Sequence, residues 1–121
     1  MQISITHHNF ELTEAIKNYI NEKLGQTEKH LKANQNAVIN LNVDLGKLSA
    51  HHKHGNYYEL KCYFRYDDIN IHLESINSDV YACIDEMKDK LQYKIANFGD
   101  RDRNIMKKIA RKFKEFIKRS N

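Results

Sequence analysis

The sequence predicts an α+β domain in the order β-α-β-β-β-α: a four-stranded sheet with two helices packed on one face, followed by a basic C-terminal tail of helical periodicity. Three observations carry this. Apolar and polar residues alternate in four separate stretches, two other stretches repeat apolar residues at helical spacing, and 121 residues suffice for one core but not for two ordinary domains. Hydrophobic residues make up 40% of the chain and charged residues 30%, a globular balance rather than a disordered one.

Ile3 and Ile5 alternate with Gln2, Ser4 and Thr6, a short strand that ends where His7, His8 and Asn9 break the pattern. Thr13 then caps a helix over Glu14 to Leu31, with Ala15, Ile16, Tyr19, Ile20, Leu24 and Leu31 facing inward. Gly25 falls in the middle of that helix and weakens it by about 1 kcal/mol relative to Ala. A polar connection over Lys32 to Asn36 leads into the clearest strand, Ala37 to Leu45, where Ile39, Leu41, Val43 and Leu45 alternate with Asn40, Asn42 and Asp44.

Gly46 to Asn56 reads as an exposed hairpin loop. Tyr57 to Tyr66 presents Tyr58, Leu60, Cys62, Phe64 and Tyr66 to the core, with Tyr57, Glu59, Lys61, Tyr63 and Arg65 on a wet face. Asp67 and Asp68 turn the chain into a last strand, Ile69 to Ile76. The sheet is expected to be mainly antiparallel, its first two strands adjacent across a right-handed helical crossover.

The run Ser78 to Phe98 organises the rest. Val80, Tyr81, Ile84, Met87, Leu91, Ile95 and Phe98 form one stripe, while Lys90, Lys94 and Asn97 project elsewhere. Ser78 is the expected N-cap and Gly99 the expected stop. Two helices side by side leave a groove between their outer faces, the first candidate for a binding surface. The domain boundary is placed accordingly, with residues 1–98 as the domain and 99–121 as the tail.

Net charge is +4, and its distribution is uneven. Residues 101 to 121 carry nine Lys/Arg against two Asp/Glu, while the first 100 carry eleven against fourteen. Ile105, Ile109, Phe113, Phe116 and Ile117 make the tail a basic amphipathic stretch, able to lie on RNA, on an anionic membrane surface or on its own domain. No apolar run approaches the roughly 20 residues of a membrane span, and MQISITHHNF lacks a signal-peptide layout, so a cytoplasmic protein with no membrane partner is expected. Cys62 and Cys83 lie in apolar patterns and read as core thiols of a reducing compartment.

Chemistry-bearing clusters are sparse. His51, His52 and His54 are crowded in one loop without the Cys pair or HExxH pattern of a metal site. His7 and His8 follow a strand end, but no pattern identifies a nucleophile or a partner carboxylate. Four scattered glycines make no phosphate loop. No catalytic residue, cofactor, metal or small-molecule substrate is expected. Tyr57, Tyr63 and Tyr66 near Lys61 and Arg65 are a candidate stacking platform for single-stranded RNA, ranked below the helix groove.

Three segments carry a resemblance. MQISITHHNFELTEAIKNYINEKL, EKHL at Glu28 to Leu31 and DVYACIDEMKDKL together resemble the short-form ribosome hibernation promoting factors, the family of the ribosome-associated inhibitor protein Y. The resemblance runs through residues 1–98 in order. It implies a double-stranded-RNA-binding-domain-like (dsRBD-like) fold and a non-enzymatic translation inhibitor of stress or stationary phase. It also implies binding to the small ribosomal subunit and its rRNA, within the whole ribosome, near the decoding centre, where messenger and transfer RNA are blocked by occupancy.

Carried over by position, the family's basic helix-face residues fall on Lys23, Lys29, His30 and Lys90; Lys94 lies on the same outer face, and Arg101 joins from the tail. Tyr93, Asn97 and Gly99 stand where the family is commonly basic, which reduces the counterion-release part of binding. The alternative from the residues themselves is a generic structured-RNA-binding module acting away from the ribosome. A histidine- or metal-dependent enzyme and a membrane-surface protein rank lower.

Overall fold

A computed structural model describes residues 1–30, 38–49, 56–66 and 69–119; over 98–119 it describes the backbone, with the side chains of Arg111 and Lys114 alone. Strand β1 (Gln2–His8) leads to helix α1 (Glu14–Gly25), a 3-10 turn (Gln26–His30), strands β2 (Ile39–Ser49), β3 (Asn56–Tyr66) and β4 (Ile69–Asn77), and helix α2 (Val80–Arg119). The expected element order is present. So is the adjacency of the first two strands, since the sheet runs β1-β2-β3-β4 with β1 parallel to β2 and the other pairs antiparallel.

Register explains why one face is dry. Ile3 and Ile5 stand opposite Leu41 and Val43, which stand opposite Phe64 and Cys62, which in turn face Ile71 and Leu73. Ile16, Ile20 and Leu24 of α1, and Val80, Cys83, Ile84, Met87, Leu91 and Ile95 of α2, close over that face to form one core. Leu60 pairs with Ser75, a buried polar residue whose hydroxyl donates to the Cys83 carbonyl at 3.0 Å. Cys62 and Cys83 are free and buried, as expected of core thiols.

Several boundaries differ from expectation, each for a local reason. Asn9 takes a left-handed conformation (φ 65°) directly after β1, which re-aims the chain toward α1. Thr13 caps α1 as expected, its hydroxyl accepting from the Ile16 N–H at 3.2 Å. Gly25 is the last residue of α1 rather than its middle, because the chain tightens there into the 3-10 turn. That turn is anchored by buried Thr27, whose hydroxyl donates to the Leu24 carbonyl at 2.6 Å. Ala15 is exposed, not inward.

Strand β2 continues past Gly46 to Ser49, so the hairpin loop starts later than expected. His51, His52 and His54 fall outside the described residues, as do Leu31 to Ala37 and the Asp67–Asp68 turn. At the start of α2 the cap is Asp79, not Ser78: Asn77 Oδ1 accepts from the Asp79 N–H at 2.9 Å, and the Asp79 carboxylate accepts from the Tyr81 N–H at 3.3 Å. Gly99 does not stop α2, which runs unbroken to Arg119. The expected side-chain stripe of the tail lies outside the described side chains.

Candidate nucleic-acid interface

The buried phase of α1 dictates what its outer surface offers. With Ile16, Ile20 and Leu24 facing the sheet, Tyr19 and Lys23 turn toward α2. There the Tyr19 hydroxyl donates to Asp85 Oδ1 at 2.6 Å, and its ring meets Tyr81 edge-on, centroids 5.0 Å apart at 87°. Lys23 Nζ lies 5.5 Å from the centroid of the same Tyr19 ring. The hydrogen bond to Asp85 pushes the Tyr19 phenol up from 10.0 to about 12, since ionising it would set two negative charges side by side. The crossing of the two helices is thus filled by aromatic rings. Tyr81, expected in the core stripe, is exposed on this flank instead.

Lys29 and His30 follow in the 3-10 turn, both exposed. Their acidic neighbour Glu28 is taken up by the Met1 ammonium at 3.0 Å. That contact offsets the Glu28 charge beside Lys29. Lys23, Lys29 and His30 therefore mark one basic flank at the C-terminal end of α1 and just beyond it.

Lys90 points the other way. Its ammonium donates to the backbone carbonyl of Glu74 at 2.7 Å, on the outer edge of β4. Glu86, one turn earlier, accepts from Asn77 Nδ2 at 2.8 Å on the same side. At 3.6 residues per turn, Lys90 lies about 140° around α2 from Asp85, the residue that faces α1. Lys94 is one turn beyond Lys90, exposed on a similar bearing. The expected groove shared by Lys23 and Lys90 is therefore not formed. Helix α2 stands between them, because α1 occupies one of its flanks and the β4 edge the other.

The side chain of Arg101 lies outside the described residues, but its backbone belongs to α2. Residues 101–119 extend that helix by about 28 Å at 1.5 Å per residue. They carry nine Lys/Arg against two Asp/Glu, whereas residues 80–97 balance Lys88, Lys90 and Lys94 against Asp85, Glu86 and Asp89. One continuous helix thus passes from a neutral segment over the core to a strongly basic one.

The helix-free face of the sheet holds two arrangements that sequence reasoning missed. His8 does have a partner carboxylate: its Nδ1 lies 3.3 Å from Asp44 Oδ1, which also accepts from the Thr6 hydroxyl at 3.0 Å. The other edge of that imidazole rests against the backbone of Gly46, its register partner across the parallel pair. On the neighbouring strands, Tyr63 and His72 stack in parallel. Tyr66, grouped with Tyr63 in the expected platform, packs against the core on the opposite face. Only the parallel register could have revealed the His8 pair. Among the described residues no group of three or more His, Cys, Asp or Glu side chains is placed to hold a metal ion, and no helix is long and apolar enough to cross a membrane.

Comparison with known proteins extends this description. The model of a family described as Sigma 54 modulation protein / S30EA ribosomal protein matches residues 3–103. A ribosome hibernation promotion factor of Staphylococcus aureus is 28% identical over 101 residues, covering 84% of this chain and 50% of that protein. The chain thus spans about half the length of this curated relative. Among solved structures, the N-terminal domain of Thermus thermophilus Protein Y superposes with a TM-score of 0.66 at 23% identity, over 81% of this chain and 99% of that one. A ribosomal subunit interface protein from Coxiella burnetii gives a TM-score of 0.66 at 13% identity, over 83% and 99%. At those identities the likeness is one of fold.

Proposed function

Because the chain belongs to the Sigma 54 modulation protein / S30EA ribosomal protein family, we propose that it is a cytoplasmic ribosome hibernation factor. It binds small-subunit rRNA near the decoding centre and blocks messenger and transfer RNA by occupancy, without chemistry. The observation that carries this reading is the extent of the family match. It takes in every side chain assigned to RNA contact: Lys23, Lys29, His30, Lys90, Lys94 and Arg101.

The division of those residues refines the mode of binding. Basic groups on two flanks of α2 suit a body wedged between two walls of folded RNA better than one lying along a single duplex. Contacts of this kind read phosphate positions and shape rather than base sequence. The basic extension of α2 supplies charge that Tyr93 and Asn97 do not.

The test is sedimentation of the full chain with small subunits, large subunits and whole ribosomes across a salt series. Co-sedimentation with small subunits and whole ribosomes, lost as salt rises and opposed by transfer RNA, is the expected result. Lys29→Glu should lower the slope of log affinity against log salt by about one, the signature of one lost phosphate contact. Equal affinity for protein-free structured RNA and for small subunits, with no competition by transfer RNA, would instead favour a module acting away from the ribosome.

A further inference from the structure

We propose that the helix-free face of the sheet is a second RNA-contacting surface, on which Tyr63 stacks an unpaired base and Arg65 holds its phosphate. Register sets out this face in rows across the strands. One row is Gln2, Asn40, Arg65 and Asn70, and the next is Ser4, Asn42, Tyr63 and His72. Tyr63 and His72 lie parallel, 4.5 Å between centroids and 6° between planes, with Tyr63 45% exposed and the His72 side chain 48% exposed. An aromatic stack standing in water offers a π-face to any base, and stacking of this kind tolerates sequence.

The surroundings fit a single strand of RNA. Neither row contains a carboxylate, and the one fixed charge they carry is the guanidinium of Arg65, which forms no salt bridge among the described residues. Among the described residues, the carboxylates of this face lie in the two rows beyond, each beside a polar partner. Asp44 accepts from Thr6 and meets His8, Glu59 lies 3.5 Å from Lys61, and Glu74 lies 3.4 Å from His72. Asn40, Asn42 and Asn70 supply both donors and acceptors for the edge of an unpaired base. A duplex, its bases stacked inside, could not use the Tyr63 ring.

This surface lies opposite the helices and does not depend on the contacts assigned to them. The experiment measures binding of the full chain to a labelled oligoadenylate of about eight nucleotides, within the site sizes usual for single strands. Tyr63→Leu should weaken binding about tenfold without changing the salt slope, while Tyr63→Phe, which keeps the π-face, stays within about twofold. Arg65→Gln should lower the salt slope by about one. Thermal unfolding of each variant confirms that the fold is kept. Wild-type affinity in Tyr63→Leu, or an equal loss in Tyr63→Phe, overturns the proposal. So does a loss confined to Lys23→Glu and Lys29→Glu, which would put the oligonucleotide on the helices.

Discussion

Lys90 and Glu74 are joined by a 2.7 Å hydrogen bond from the lysine ammonium to a backbone carbonyl on the free edge of β4. An edge strand presents unpaired carbonyls to any passing strand, and a lysine laid across one of them blunts that edge. Lys90→Met should therefore destabilise the fold by about 0.5–1 kcal/mol, a charge-assisted hydrogen bond discounted for its exposure. It should also speed amide exchange in β4. Lys94→Met should leave both unchanged. Identical urea midpoints and β4 exchange in the two variants would mean that Lys90 does not hold the edge.

Much of the sheet was legible because its chemistry is local. Leu41, Val43 and Leu45, and Leu60, Cys62 and Phe64, are buried where period-two alternation put them. The direction of Lys90 was not legible: helical phase fixes an angle around α2, but only the packed neighbours decide which flank meets α1 and which meets β4. The same holds for Tyr19 and Asp85, 66 positions apart in the chain. Gly99 was misread because a glycine after an apolar stripe resembles a C-cap, whereas the Lys, Arg, Ile and Ala that follow offset its cost of about 1 kcal/mol.

Gly46 is held small by His8. A Cβ built on Gly46 would collide with the imidazole, yet the His8 side chain is half exposed and can swing outward. Gly46→Ala is therefore expected to displace the ring from Asp44 and cost about 1 kcal/mol, at the mild end of overpacking. In a His8→Ala background the same substitution should cost no more than about 0.3 kcal/mol. A double-mutant cycle by urea unfolding measures the difference, and an equal cost in both backgrounds would place the strain in the backbone instead.

The Tyr19 phenol, raised to about 12 from 10.0 by its hydrogen bond to Asp85, makes stability pH-dependent in alkali. The folded state holds this proton more tightly than the unfolded state. The contribution is therefore complete below about pH 10 and disappears as pH rises through about 12. Tyr19→Phe removes the group, so the stability difference between wild type and variant should shrink across that window. A difference that stays constant from about pH 9 to about pH 12 would show that the phenol does not titrate against Asp85.

The continuity of α2 through Gly99 gives the most direct test of how the basic segment is carried. In a helix interior, alanine is favoured over glycine by about 1 kcal/mol, because glycine surrenders more backbone freedom on ordering. At a C-terminal position with left-handed backbone the preference reverses, since a Cβ is strained there. Gly99→Ala should accordingly raise helical ellipticity at 222 nm and slow amide exchange over residues 100–103. If the proposed ribosome binding holds, it should also strengthen that binding at moderate salt, because a stiffer α2 would present Arg101 and the basic residues beyond it at a smaller ordering cost. Loss of ellipticity and faster exchange would mean that the helix breaks at Gly99, leaving the basic segment joined to the core by a hinge.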